Sequence, residues 1–158
     1  MYERILVPLD GSDVAEAIIP DVEDLVLKMA PVTRVEVVLF QVISKINYNV
    51  LTEDERAQRP YTDSEMKQLT QKAEKYLETV AAPMREKDIS VNIKVSAGHT
   101  AEEILKAASE VSADLIAMST HGRSGLRLWA LGSITDKVLH ESKIPVLTIR
   151  AKQIKHSS

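Results

Sequence analysis

The sequence has no cysteine among its 158 residues. Without thiols the chain cannot form a disulfide framework, a thiolate zinc site or an iron–sulfur cluster. It also cannot use a cysteine nucleophile. Aromatic residues make up only 4% of the chain, so its core must consist mainly of Val, Ile, Leu and Ala. Such a core is typical of helices packed on a parallel sheet.

Neither sign of charge is in large excess, since 20 Lys and Arg stand against 23 Asp and Glu, giving a net charge of −3. The lack of a basic surplus disfavours nucleic acid as a partner. The first residues, MYERILVPLDGS, contain the acidic Glu3 and only a short apolar run. This pattern is typical of neither a signal peptide nor a membrane span, so we expect a cytoplasmic protein without a membrane partner.

Short β-branched runs alternate with helical patterns along the chain. This alternation predicts a single α/β domain over 1–150, followed by a polar tail over 151–158. We expect a five-stranded, parallel, doubly wound (Rossmann-like) sheet in the order 3-2-1-4-5, covered by about four helices. The predicted strands are 5–7 (ending at Pro8), 35–43, 89–95, 114–118 and 145–150.

Polar residues mark where the predicted helices begin and break. Ser12 is a candidate cap for the first helix, which Pro20 should kink or divide. Thr62 with Glu65 and Thr100 with Glu103 both have the spacing of a capping box. Residues 44–61 are polar and lack a period, which predicts a long loop.

Two segments should meet at the carboxyl ends of the strands, where open α/β sheets bind ligands. The first is 8–12, directly after the first strand, and the second is 118–135, after the fourth. Three of the chain's five glycines fall in the second segment, and Gly132 precedes a predicted helix. Free amides at a helix N-terminus favour an anion. The alternative is that these glycines only form turns and that Ser133 is only a cap.

The second segment also carries a family resemblance. Gly122 is followed by nine residues and then by Gly132 and Ser133. The chain thereby resembles the universal stress proteins, whose nucleotide-binding members carry G-x2-G-x9-G-[ST] after the fourth strand. The segments ILVPLDGS, DLIAMSTHGRSGL and KIPVLTIR agree with the family, and the resemblance covers residues 3–150. Ser119 departs from the pattern, because it stands at the motif's first glycine.

The resemblance implies a site for ATP, ADP or AMP, with Mg²⁺ held mainly by phosphate oxygens and water. It assigns Pro8, Leu9, Asp10, Val42 and Met118 to adenosine, with Asp10 accepting hydrogen bonds from the base or ribose. The residues expected around the phosphates are Ser119, Gly122, Arg123, Gly132, Ser133, Ile134 and Thr135. We expect Ser119 to weaken binding by crowding the ribose, unless its backbone has an ordinary φ.

The motifs of efficient nucleotide hydrolysis are missing. The sequence contains no GxxxxGK[ST] and no GxSxG. His121 is a candidate base, but a role in shaping the loop is the simpler interpretation. The other three histidines have no metal-binding spacing. We therefore predict binding with slow hydrolysis at most, with no catalytic residue and no protein-held metal.

The last predicted strand should lie at a sheet edge and expose unpaired backbone groups. By resemblance to the family, we expect a homodimer that pairs through this strand, over Val146, Leu147, Thr148 and Ile149. Two functional hypotheses remain open: an adenine-nucleotide-binding stress or signalling module, and a dimeric interaction or chaperone-like protein that binds no nucleotide. A response-regulator receiver is disfavoured, because Ser96-Ala97-Gly98 stands where its phosphoacceptor Asp would end the third strand.

Overall fold

The computed structural model describes residues 2–47, 59–120 and 132–151. Seven strands and five helices occur within these ranges. The strands are β1 (Arg4–Leu9), β2 (Glu36–Ile43), β3 (Ile46–Asn47), β4 (Arg59–Pro60), β5 (Ser90–Ala97), β6 (Leu115–Thr120) and β7 (Val146–Arg150). The helices are α1 (Asp13–Glu16), α2 (Ile19–Met29), α3 (Asp63–Glu86), α4 (Thr100–Glu110) and α5 (Ser133–Glu141).

The main sheet is parallel and has the order β5-β2-β1-β6-β7. Counted along the chain, these five strands stand in the order 3-2-1-4-5, so the predicted doubly wound α/β fold is confirmed. The strands at the two edges, β5 and β7, are also those expected there. In the part of the chain that the structure describes, no helix is long and apolar enough to cross a membrane.

Each face of the sheet packs against its own set of helices. On one face Ile5, Val7 and Leu9 of β1 join a core with residues of α1, α2 and α3. On the other, Leu6 of β1 and Met118 of β6 pack with residues of α4 and α5. Because successive side chains of a strand point to opposite faces, this alternation assigns each residue of β1 and β6 to one face.

The first strand extends further than predicted. β1 continues through Pro8 to Leu9, with Pro8 in register with Phe40 of β2. The expectation that Pro8 ends the strand is therefore wrong. The ladder between β1 and β6 has already ended at Leu6, and a proline costs no ladder hydrogen bond on the side where a strand has no partner.

The region of the first predicted helix is divided, as Pro20 suggested. α1 is a single turn capped by Ser12, whose Oγ accepts from Ala15 N at 3.1 Å. α2 begins at Ile19, with Pro20 in its first turn. Proline is tolerated at that position because the first amides of a helix have no helical acceptor.

The two predicted capping boxes have different outcomes. Thr62 caps α3, and its side chain accepts from Glu65 N at 3.2 Å. The box at Thr100 is wrong, since His99 is the N-cap residue and Thr100 is already helical. The Glu103 side chain lies against Gly98, where an added Cβ would come within 2.8 Å of Glu103 Cγ. Glu103 is therefore folded over Gly98.

The predicted loop over 44–61 is wrong at its ends, because β3 and β4 pair there as a short antiparallel ribbon. The register pairs Ile46 with Pro60 and Asn47 with Arg59. Residues 48–58 lie outside the described ranges. β3 follows β2 after two residues, so the ribbon of β3 and β4 lies near the carboxyl end of β2.

Candidate functional site

The direction of the chain across the sheet reverses between β1 and β6. β2 and β5 lie to one side of β1, and β6 and β7 lie to the other. β1 pairs with β2 along all six of its residues but with β6 only at Ile5 and Leu6. The two central strands therefore part toward their carboxyl ends, and a crevice opens at the position where doubly wound folds bind ligands.

The turn after β1 forms one wall of this crevice. Asp10 is half-buried, and its Oδ1 accepts from Ser12 N at 2.9 Å and from Ser12 Oγ at 2.5 Å. Gly11, between them, has a φ of +83°, a conformation that favours glycine. Asp10 thus caps the turn between β1 and α1. This role holds the carboxylate in a fixed position.

The predicted adenosine residues divide between the two faces of the sheet. Val42 and Met118 pack on the face of α4 and α5, and alternation places Pro8 there with Leu6. Extending the strand register sets Met118 level with Pro8. Leu9 is 4% exposed and belongs to the core on the opposite face. Its backbone reaches the crevice edge, but its side chain does not.

The N-terminus of α5 lies at the same edge of the sheet, because α5 follows the carboxyl end of β6 and leads back to β7. Gly132 is its N-cap residue and makes no side-chain cap bond. The first hydrogen bond of the helix runs from Asp136 N to Gly132 O at 2.9 Å, so the amides of Ser133, Ile134 and Thr135 precede the helical ladder. Three such N–H groups and the helix dipole provide a place for an anion.

The described residues leave open space beside Gly132. A Cβ built on this residue meets no atom of the described chain within 4 Å. Its φ of −49° is accessible to any L-residue, so the conformation itself does not require glycine. The predicted phosphate residue Thr135 is buried and Ile134 is 41% exposed, so the first turn of α5 has one side against the core and one side open.

Ser119 points to the face of the sheet opposite to that of Met118. Met118 faces α4 and α5, whereas the neighbouring Ser119 faces α1, and its Oγ donates to Val14 O at 2.5 Å. Its φ is not positive, unlike those of Asp88 and Ser112. An ordinary φ is the condition under which no crowding of the ribose was expected. The effect of Ser119 on affinity remains a prediction.

Tyr76 was missed by the sequence analysis. It lies on α3, and its hydroxyl oxygen is buried near Glu16 and the turn of Asp10 and Gly11. Burial, and secondarily the Glu16 carboxylate, raise the pKa of the Tyr76 hydroxyl well above its usual range. A signal was available: Tyr76 follows Ala73 by three residues, on the apolar stripe of α3.

Some predicted residues lie outside the described ranges, namely Gly122, Arg123 and His121. Within those ranges, no group of three or more His, Cys, Asp or Glu side chains is placed to hold a metal ion. The described part of the site therefore consists of the β1–α1 turn, the apolar face beside it and the first turn of α5.

Comparison with known proteins identifies the family of this chain. A sequence model of the universal stress protein family matches residues 1–150. The chain belongs to the universal stress protein family. Universal stress protein MJ0577 of Methanocaldococcus jannaschii is 28% identical over 157 residues, covering 96% of this chain and 97% of that protein.

Solved structures agree with this family assignment. The structure of MJ0577 superposes with a TM-score of 0.77 at 28% identity, covering 97% of this chain and 99% of that one. A universal stress protein from Archaeoglobus fulgidus was solved in complex with dAMP; it is 17% identical with a TM-score of 0.64, over 94% of this chain and 98% of that one. Another universal stress protein was solved in complex with cAMP. It is 16% identical with a TM-score of 0.60, covering 96% of this chain and 98% of that one. At these lower identities the likeness establishes the fold alone.

Proposed function

We propose that this universal stress protein is a stress-response or signalling module that binds an adenine nucleotide: ATP, ADP or AMP. The proposal is carried by the first turn of α5, where three amides precede the helical ladder beside the open space at Gly132. This turn begins at the carboxyl edge of the sheet, next to the parting of β1 and β6. Proteins of the same fold that were solved with dAMP and cAMP support an adenine nucleotide as the ligand.

The adenosine moiety would lie on the α4–α5 side of the crevice. Pro8, Val42 and Met118 offer an apolar surface there, to which the face of a purine is suited. Asp10, fixed by Ser12, would accept a hydrogen bond from the base or a ribose hydroxyl. Leu9 contributes its backbone to this wall, since its side chain belongs to the opposite core.

The phosphates would lie at the start of α5. The amides of Ser133, Ile134 and Thr135 would donate to phosphate oxygens, with Gly132 leaving the room that the ligand needs. The backbone at Ser119, with Gly122 and Arg123, would complete this cradle. Mg²⁺ would arrive with the nucleotide and rest on phosphate oxygens and water.

We expect binding without efficient catalysis. Hydrolysis requires a group that positions water near the γ-phosphate. Asp10, the acidic residue of the β1–α1 turn, is bound to Ser12 and serves the turn. ATP turnover is therefore expected to be slow at most, and a signalling role would depend on which nucleotide is bound.

A homodimer in the cytoplasm completes the proposal. β7 is an edge strand of the main sheet, and its Leu147 is 36% exposed. Antiparallel pairing of two copies of β7, over residues 146–149, would satisfy their outer backbone groups and cover this side chain. Such a dimer leaves the crevice between β1 and β6 accessible, because β6 separates it from the interface.

Thermal unfolding with and without nucleotide tests the proposed function. Protein first freed of any co-purified ligand is heated alone and with Mg-ATP, AMP or GTP. A ligand at about 100 times its dissociation constant adds about 2.7 kcal/mol of stability, and for a domain of this size the unfolding temperature should rise by about 5 to 10 °C.

Gly132→Val provides the matched variant for this experiment. The space beside Gly132 accepts a side chain without a clash in the described chain, so the nucleotide-free variant should fold. Its unfolding temperature should be somewhat lower than that of the wild type, because valine is a poorer N-cap residue than glycine. Its response to adenine nucleotides should be lost. If no nucleotide shifts the wild type, the nucleotide proposal fails and the dimeric interaction or chaperone-like protein becomes the better hypothesis.

A further inference from the structure

The Ser119 hydroxyl joins two segments that are distant in sequence. It is buried at the carboxyl end of β6, and its Oγ donates to Val14 O at 2.5 Å and lies 3.4 Å from Ala15 O. Both carbonyls belong to α1, which follows directly on the turn of Asp10. The contact therefore links the β1–α1 wall of the crevice to the strand that leads into the second glycine-bearing segment.

The carbonyls of α1 lose their usual helical donors because the helix stops after one turn. In a continuous helix, Val14 O and Ala15 O would accept from the amides four residues later. Here the chain breaks between α1 and α2, and Val14 O accepts a 3.3 Å bond from Ala17 N. Carbonyls at such a helix end require other partners. Ser119 provides one from the neighbouring strand.

We propose that Ser119 is a positioning residue for the nucleotide site, an inference that rests on the function proposed above. Its hydroxyl holds α1 against β6 and thereby fixes Asp10 relative to the carboxyl end of β6. A site whose walls are already fixed loses less conformational freedom when the ligand binds, so the affinity is higher. Ser119 thus strengthens nucleotide binding, whereas the departure from the motif's glycine suggested the opposite effect.

Two substitutions at this position separate the two explanations. Ser119→Ala removes the hydroxyl and keeps Cβ, and Ser119→Gly also restores the residue of the motif. If the hydroxyl positions α1, both variants should bind AMP about three- to tenfold more weakly than the wild type, as expected for the loss of one hydrogen bond. If the side chain instead obstructs the site, Ser119→Gly should bind more tightly.

Ser142→Ala is the matched control. Ser142 Oγ donates to Ile144 O at 2.7 Å at the end of α5, so its removal also deletes a serine-to-carbonyl bond, but away from the crevice. This variant should bind AMP like the wild type. The AMP affinity of this control shows how much of the change in the Ser119 variants follows from a general loss of stability.

Hydrogen exchange of the nucleotide-free protein tests the tether without a ligand. In Ser119→Ala the amides of residues 15–17 should exchange faster than in the wild type, while Ser142→Ala should leave them unchanged. Affinity is measured by calorimetry on the same preparations. Weaker AMP binding together with this local rise in exchange supports the inference.

Unchanged exchange at residues 15–17 in Ser119→Ala overturns the inference, as does equal or tighter AMP binding by both Ser119 variants. A wild type that binds no adenine nucleotide refutes the proposed function and, with it, the role of Ser119 in affinity. The exchange result distinguishes that case, since a selective rise would still show that the hydroxyl fixes α1.

Discussion

The hydroxyl of Tyr76 is buried beside the carboxylate of Glu16, so that α3 meets the end of α1 through two polar groups. Among the described residues no group has hydrogen-bonding geometry to Tyr76 Oη. Burial is nevertheless the main cause that raises the pKa of this hydroxyl, and the nearby carboxylate adds to it. Tyr76 therefore keeps its proton in the folded protein at pH values where an exposed tyrosine loses it.

This relationship predicts a loss of stability in alkali. The unfolded chain releases the tyrosine proton near pH 10, whereas the folded protein holds it to a higher pH. The contribution of Tyr76 to the free energy of unfolding is therefore complete below about pH 10 and declines as the pH rises above it. Urea unfolding from pH 8 to 11 should show a steeper decline for the wild type than for Tyr76→Phe.

At neutral pH the same substitution should not reduce stability, because Tyr76→Phe removes a buried hydroxyl that lacks a well-formed bond. Phenylalanine also keeps the ring among its neighbours. Parallel pH profiles for the two proteins would contradict the assigned environment of Tyr76, as would a clear loss of stability in Tyr76→Phe at pH 7.

Removing the cap of α3 should lower the free energy of unfolding. Thr62 Oγ1 accepts from Glu65 N, so Thr62→Ala leaves that amide without its side-chain acceptor. We expect the free energy of unfolding to fall by about 1 kcal/mol. Thr79→Ala on the same helix is the control, because Thr79 is exposed and donates only to Lys75 O. Urea denaturation should show little change for Thr79→Ala, and equal effects of the two substitutions would refute the capping role.

Replacing Asp10 should lower the affinity for nucleotide without lowering the stability of the protein. In Asp10→Asn the amide oxygen can still accept from Ser12 N, so the turn should be preserved. The negative charge is lost, and charged acceptors form the stronger hydrogen bonds. AMP affinity should fall by about tenfold or more while the melting temperature changes little. Equal affinities of wild type and variant by calorimetry would remove Asp10 from the site.

The proposed dimer makes a prediction for the β7 edge. Leu147→Lys places a charge where a second copy of β7 would pack, and edge lysines oppose strand pairing. Sedimentation should show a dissociation constant raised by about tenfold or more, as expected when a charge is buried at an interface. Leu27→Lys is the control, since Leu27 is an exposed leucine on α2 rather than on the edge strand. A monomeric wild type at all concentrations would rule out the dimer.

Features set by neighbouring residues were predictable from the sequence. The Thr62 cap and the break at Pro20 depend on contacts within a few residues, and both were predicted. The box at Thr100 depended on where Glu103 packs, and its contact with Gly98 is not encoded in the spacing. Pro8 likewise remained in β1 because of where β6 ends its pairing, which is a property of the whole sheet.

For the candidate site, sequence motifs identified the segments but not the direction of every side chain. The β1–α1 turn and the start of α5 were recognised from Gly132, Ser133 and the residues around Asp10. Strand alternation already required Met118 and Ser119 to face opposite sides, but the side that holds the crevice depends on the helix packing. Tyr76 comes from a third segment, and only the folded chain shows that it lies beside this turn.

The early parting of β1 and β6 has an energetic consequence. Both strands are well paired on their outer sides, to β2 and β7, so each is held in place where the two diverge. A molecule that enters between their carboxyl ends breaks no backbone hydrogen bond between them. Its contacts with the walls therefore need not compensate for a disrupted sheet, and the gap can be filled and emptied while the rest of the fold remains intact.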